Sequence, residues 1–240
     1  GHVHAARLPR ADSRQMTLLT PEEWTALTLS ARVATWCMLL GIVPGVLLAW
    51  LLARRDFPGK SLLDALLHLP LVLPPVVPGY LLLLAFGRQG WAGQWLHETF
   101  GVSIAFQWTG AVLASLVMSL PLLVQPIRLS LQLIDSRLED AARTLGAGPW
   151  RVFFTITLPL ALPGMLVGAT LVFIPALGNY IIPELLGGGK ALMIGNLIQL
   201  QFGSGHNWPL GAALAFSLFS LVLLALLFNG LRQRGQEVRG

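Results

Sequence analysis

Charge is what this 240-residue chain has least of. Asp, Glu, Lys and Arg together make up 11% of it, against roughly 25% in a water-soluble domain. Hydrophobic residues make up 55% and the mean hydropathy is +0.69, so disorder, a coiled coil and a collagen-like repeat are all excluded. A soluble core is excluded too, because a chain this long cannot hide that much apolar surface. The single cysteine, Cys37, rules out an internal disulfide and a multi-cysteine zinc site. It lies in an apolar run and reads as a small packed residue. Enzyme signatures are missing as well. There is no H-E-x-x-H and no G-x-S-x-G, and His68, His97 and His206 fall in separate segments without ligand spacing. Gly59-Lys60-Ser61 and Gly187-Gly188-Gly189-Lys190 imitate the end of a nucleotide loop. Arg54 and Glu184 stand where its first glycine belongs, so neither is one.

What remains is a polytopic membrane protein, all-α, with room for five or six spans of about 20 residues. Residues 1–19 form a polar tail without the apolar run of a cleavable signal peptide. Thr20-Pro21-Glu22-Glu23 then reads as a helix start with a capping box. Five spans are expected, over 26–53, 62–86, 109–127, 160–182 and 209–231. The second holds Pro70, Pro74, Pro75 and Pro78 and cannot be straight. The stretch 192–202 is too short and too polar to cross. It reads as a re-entrant or interfacial helix on the outer side.

Basic residues set the orientation. Arg54, Arg55 and Lys60, then Arg128, Arg137, Arg143 and Arg151, then Arg232, Arg234 and Arg239 all fall on one side. Only Arg88 and Lys190 fall in the loops opposite. The first set therefore faces the cytoplasm and the N-terminus faces out, although Arg7, Arg10, Arg14 and Arg32 run against the trend. The formal net charge of +5 follows from this asymmetry and does not indicate nucleic acid. The central parts of spans one, three, four and five hold no Asp or Glu, and Asp64 and Glu184 sit at span ends. A self-powered carrier places ionisable groups at mid-membrane. Energy from a partner protein is the better expectation.

The informative segment is cytoplasmic. Ser136 and Glu139 read as a capping box. Leu138, Ala141, Ala142 and Leu145 share one apolar helix face, and Gly146 supplies a left-handed end. Pro149 starts a second short helix, 150–157, and Leu158-Pro159 leads into span four. The small Ala141-Ala142 pair on that face permits close docking into a groove.

This segment resembles the coupling loop of permease subunits of binding-protein-dependent ABC importers. That pattern is E-A-A, three residues, Gly, nine residues, Ile, one residue, Leu-Pro. Here it reads Asp140-Ala141-Ala142, Gly146, Ile156, Leu158-Pro159. Asp140 replaces the usual Glu, and Glu139 either shares that role or caps the helix. The resemblance implies a permease domain over 20–235 with its coupling loop at 135–159. It places Glu139, Asp140, Ala141, Ala142 and Gly146 against an ABC ATPase subunit. It also implies a second permease subunit, an external substrate-binding protein, a bacterial inner-membrane location, and no catalytic residues, metal or cofactor in this chain.

Residues 20–173 resemble molybdate-importer permeases through Phe57-Pro58-Gly59-Lys60, the run from His68 to Val77, and Ala141 to Gly164. Residues 174–235 resemble spermidine/putrescine permeases through Pro175-Ala176-Leu177-Gly178, Ile182-Pro183-Glu184-Leu185-Leu186-Gly187-Gly188, Met193-Ile194-Gly195-Asn196 and Asn207-Trp208-Pro209-Leu210. Asn179 stands where both usually have Glu. A natural mosaic, a chimera and a designed sequence all fit this pattern. An oxyanion wants neutral donors and few carboxylates; a polyamine wants carboxylates and aromatic faces. Spans one to four favour the oxyanion, whereas Tyr180 and Glu184 form the cation-friendly pair on the outer side. Asn179, Tyr180 and Glu184 are thus the candidate pathway residues. A polyamine permease, a secondary carrier and a membrane-embedded enzyme are the alternatives.

Overall fold

The computed structural model describes residues 20–101, 103–187, 192–205 and 207–237. The 1–19 tail, Gly188, Gly189, Lys190, His206 and Arg239 lie outside the described residues. The described residues form helices and turns, with no strand among them.

Helix α1 spans Pro21–Arg54. Its start is the expected capping box: the Thr20 N–H donates to Glu23 Oε2 at 2.7 Å, and Thr20 Oγ1 accepts the Glu23 N–H at 3.4 Å. Both satisfy donors that a helix N-terminus otherwise leaves open. Pro74 and Pro75 divide the next segment into α2 (Lys60–Val72), which holds Pro70, and α3 (Val76–Phe86), which holds Pro78, bent by 112°. Leu73 is extended and Pro75 opens α3, which is the local effect of an X-Pro-Pro run. A short α4 (Trp91–Phe100) then leads to α5 (Trp108–Leu133).

Helix α5 is the axis of the core, with α1 and α9 (Leu162–Gly178) packed along it. Each flanking helix approaches through a pair of glycines four residues apart. A Cβ on Gly41 or Gly45 would lie 2.9 Å from Leu116 or 2.6 Å from Leu123 on α5. On Gly164 it would meet Ser130 and the Pro126 carbonyl oxygen, the latter at 2.5 Å, and on Gly168 the Leu123 carbonyl oxygen at 2.9 Å. In a bilayer, burying an apolar side chain gains little over lipid, so close backbone approach of this kind supplies much of the packing energy. Val33, Ala34, Cys37, Leu52, Leu123, Val124, Ile127 and Val172 fill the core. Cys37 is fully buried, as its apolar setting suggested.

The fourth expected span begins after a bend. Helices α7 (Pro149–Val152) and α8 (Leu158–Leu160) flank a π-helical turn, Phe153–Thr157, and the unit meets α9 at 62°. Helix α9 ends at Gly178, four residues earlier than expected, because Asn179 is extended. Ile181–Gly187 is a separate helix, α10. Helix α11 (Ile194–Phe202) is short, as expected, and is pinned where the Ser30 hydroxyl accepts the Ile194 N–H at 2.8 Å. Helix α12 (Trp208–Glu237) follows, with Leu214 buried against Ala26 and Leu197.

Two ends of the molecule are defined by these contacts. At one, the N-terminal part of α1 meets α11, and the Arg32 guanidinium lies 4.3 Å above the Trp108 ring at the start of α5. At the other, the C-terminal end of α1 meets the segment after α5. Helix α2 contacts the late part of α5 through Arg128, whereas Leu82 and Leu83 of α3 pack near Ala114 and Leu186. The bent α2–α3 pair therefore travels from one end to the other. Among the described residues, α1 and α5 are each long and apolar enough to cross a membrane. Counting each bent pair as one span gives up to four, and the apolar stretch of α12 is Trp208–Leu224.

Candidate functional site

The segment singled out by its sequence forms a compact unit after α5. Helix α6 spans Ser136–Thr144, and Asp135 rather than Ser136 caps it, with Asp135 Oδ1 accepting the Arg137 N–H at 2.9 Å. The expected Ser136–Glu139 capping box is thus corrected by one residue. Asp135 has the shorter reach to the first-turn donors, and this frees Glu139 for other partners. The helix ends on Gly146 at φ +86°. The Gly146 N–H donates to the Arg143 carbonyl at 2.9 Å and the Ala147 N–H to the Ala142 carbonyl at 3.0 Å. This is the paired closure of a left-handed helix end. The expected second helix, 150–157, is instead α7 followed by the π-helical turn.

Glu139 is the knot of the unit. Its Oε1 lies 3.0 Å from Arg54 Nη2 at the end of α1 and accepts from Thr157 Oγ1 at 2.9 Å, while Arg143 Nη2 lies 3.8 Å from Oε2. The side chains of Glu139 and Arg54 are only 12% and 21% exposed. One carboxylate thus ties α6 to α1 and to the turn that leads into α9. An aromatic wall backs it: Trp50 meets Phe153 edge-on at 6.3 Å, Phe153 meets Phe154 at 5.2 Å, and Phe154 stacks on Trp150 at 6.4 Å. Between wall and knot lies a cavity of about 350 Å³, lined among others by Leu47, Arg55, Arg143 and Pro149. In the adjoining loop, Lys60 donates to Asp56 at 2.8 Å. That hydrogen bond, then the ammonium charge, hold the Asp56 carboxyl below its ordinary range.

The outward side of the unit is different. Asp140 is exposed and its one ion pair among the described residues is with Arg143, 3.5 Å away on the same helix. Ala141 is exposed, Ala142 half-buried and Gly146 exposed. Leu138 and Leu145 on the same helix are 50% and 89% exposed, and Trp150 is 74% exposed. The expected apolar face therefore stands open, on a base held by an ion pair. Asn179, Tyr180 and Glu184 lie elsewhere, at the α9–α10 corner. The Asn179 N–H closes α9 on the Pro175 carbonyl at 2.8 Å, Tyr180 packs near Gly195, and Glu184 accepts from the Asn196 amide at 3.1 Å. Sequence reasoning missed Arg54 and Thr157 as partners. Arg54 was visible only as one of many loop cations, and its partner is 85 residues away.

Residues 41–236 match the family described as the inner membrane component of binding-protein-dependent transport systems. The molybdenum transport system permease protein ModB of Escherichia coli K12 is 58% identical over 163 residues, covering 68% of this chain and 71% of that protein. ModB of Azotobacter vinelandii is 36% identical over 216 residues, covering 87% of this chain and 94% of that protein. Among solved structures, the inward-facing MetNI methionine ABC transporter superposes with a TM-score of 0.64 at 21% identity, covering 89% of this chain and 93% of that chain. A bacterial alginate ABC transporter bound to its periplasmic protein gives 0.65 at 17% identity, over 88% of this chain and 77% of that one. At these identities the structural likeness concerns the fold.

Proposed function

Because the chain belongs to the family of binding-protein-dependent transport system inner membrane components, we propose that it is the permease subunit of an ABC importer for a small oxyanion, molybdate in the first place. It is a transport component and not an enzyme. The observation that carries the mechanism is the open apolar face of α6 on a base tied to both α1 and α9. A free apolar face with small residues suits a groove on a separate protein. A rigid tie behind it suits the transfer of movement to the membrane helices.

In this reading an ABC ATPase receives Asp140, Ala141, Ala142 and Gly146, and its closure moves α6. Glu139 carries the displacement to Arg54 on α1 and to Thr157 ahead of α9. The polar tail 1–19 stands apart from a permease domain over 20–235, whose coupling loop is 135–159. The chain crosses the bacterial inner membrane five times, through α1, the bent α2–α3 pair, α5, α9 and α12. An odd number of crossings puts the two chain ends on opposite sides, and the basic residues near α6 favour a cytoplasmic α6 and an outer N-terminus. A second permease subunit completes the pathway and an external binding protein delivers the substrate. Asn179, Tyr180 and Glu184 lie on the outer route, where Glu184 is already engaged by Asn196.

Molybdate is preferred to a polyamine for two reasons. The Azotobacter relative is a molybdenum permease, and its match to 87% of this chain runs well past residue 173, where the polyamine-like sequence begins. The central spans also lack the carboxylates a polyamine wants. The test is uptake into vesicles with each cognate ATPase and binding protein supplied in turn. Molybdate should accumulate with ATP. Spermidine uptake with its own partners, and no molybdate uptake, would overturn the proposal.

A further inference from the structure

We propose that the late part of α5 lines a water-filled mouth of the pathway, and that Arg128 with Gln125 and Gln132 forms a transient site there for a small oxyanion. This rests on the permease reading above and adds to it where the anion passes. The three residues recur at i, i+3 and i+7, so they share one helix face. Gln125 and Gln132 are exposed and Arg128 is half-buried. Together with Pro126 and Leu129 they line an open cavity of about 440 Å³.

Depth decides against an ordinary interfacial cap. Helix α5 has 26 residues, or about 39 Å, against a hydrocarbon core of about 30 Å. Gln125 lies eight residues from its C-terminal end at Leu133, roughly 12 Å along the helix, so it is about 3 Å inside the hydrocarbon boundary even with the whole surplus of about 9 Å at this end. His68 stands at the same depth on the facing helix, eight residues from the start of α2 at Lys60. The two meet, with His68 Nε2 2.5 Å from the Gln125 amide nitrogen. His68 Nδ1 donates to the Asp64 carbonyl at 2.7 Å, which leaves Nε2 as acceptor. Polar side chains at this depth do not face hydrocarbon; they face water or protein.

The chemistry of the lining selects the sign. Arg128 Nη1 is 2.9 Å from Asp64 Oδ1, and His68 Nδ1 is 3.7 Å from the same oxygen. Asp64 is thereby held on the α2 side and does not line the cavity. The cavity sees the remaining guanidinium donors, two carboxamides and no carboxylate. Such a wall binds an oxyanion weakly and lets it go, as a route requires.

The experiment uses the assembled transporter in inside-out vesicles, with C37A removing the one native thiol of this chain. Cysteines are placed singly by Q125C and Q132C, and by L40C and V43C as controls on the exposed apolar face of α1. Anionic sulfonatoethyl and cationic trimethylammonioethyl methanethiosulfonates are the probes, with modification read on the permease itself. Q125C and Q132C should react at least about tenfold faster than L40C and V43C, and the anionic probe should be favoured over its rate on a free thiol. The double variant R128Q/D64N removes the guanidinium that lines the cavity together with the carboxylate that does not, and should lower that preference about threefold. Rates at positions 125 and 132 as low as at 40 and 43 would refute the wet mouth. Equal probe preference before and after R128Q/D64N would refute the anion site. Neither readout needs transport, so a wet, anion-selective mouth together with failed molybdate uptake would condemn the substrate assignment and leave this inference standing.

Discussion

Replacing Glu139 by alanine tests the tie between α6, α1 and the π-helical turn. The carboxylate contacts Arg54 at 3.0 Å and Thr157 at 2.9 Å, and the Glu139 and Arg54 side chains are under a quarter exposed. Each hydrogen bond to a charged group is worth about 1.5–3 kcal/mol. Losing the carboxylate also leaves Arg54 without its acid, and one Arg54 nitrogen, Nε, is already buried with no hydrogen-bond partner among the described residues. Removing one member of a partly buried pair costs more than the pair contributes. We therefore expect E139A to destabilise the assembled permease by about 3 kcal/mol. E139Q keeps an acceptor for Thr157 and should cost about 1 kcal/mol. The coupling between positions 54 and 139, from R54Q, E139Q and the double variant, should be about 1–2 kcal/mol. Denaturant titration of the purified transporter in detergent, followed by tryptophan fluorescence, reads all of these. ATP hydrolysis and uptake measured in parallel should show E139Q hydrolysing ATP with reduced transport per ATP. Stability of E139A within about 0.5 kcal/mol of the parent, together with normal transport per ATP, would remove the tie from the mechanism.

Four further outcomes follow from the same geometry. G146V puts a β-branched residue at φ +86°, a strain of about 1–2 kcal/mol; the variant should insert normally yet lose uptake, and normal uptake would detach this turn from coupling. A142R should do the same by blocking the docking face, as checked by co-purification of the ATPase. G164L forces α9 off α5 at Ser130 and Pro126 and should cost about 3 kcal/mol or more, seen as loss of folded protein in a heat-stability assay. Single cysteines at positions 55 and 137 should resist an impermeant reagent on intact cells while one at the exposed position 94 reacts, and labelling at 137 would invert the topology.

Much of this fold was legible because its rules are local. A capping box at Thr20, a left-handed end at Gly146 and a break at Pro74-Pro75 are each set by residues within a turn of one another. The helix α6 and its left-handed end were legible for the same reason, since the pattern that carries them lies within twenty-odd consecutive residues. The errors are local as well, and their cause is competition. Ser136 and Asp135 can both cap α6, and the aspartate wins. An apolar run through Gly178 and Ile181 reads as one span, but Asn179 adopts an extended conformation and α9 stops.

What the sequence hides is which polar side chain meets which. Glu139 could have closed a capping box three residues back, and nothing in its neighbourhood says that it reaches Arg54 across 85 residues. The glycine pairs on α1 and α9 are equally silent, because small residues permit close approach without naming the partner. Leu123 turns out to meet Gly41 and Gly45 of α1 and Gly168 of α9, so one residue of α5 lies at the close approach of both flanking helices. In the proposed mechanism, movement of α6 pulls on α1 through Arg54 and on the entrance to α9 through Thr157, and both helices meet Leu123. A displacement of one that widens its approach to α5 also loosens the packing of the other. In the proposed cycle this gives the ATPase a single lever on both helices. Volume added at Leu123 should therefore impair uptake. L123F, compared with the parent for transport per ATP at equal expression, tests this; unchanged transport per ATP would mean that the contact at Leu123 does not link α1 to α9.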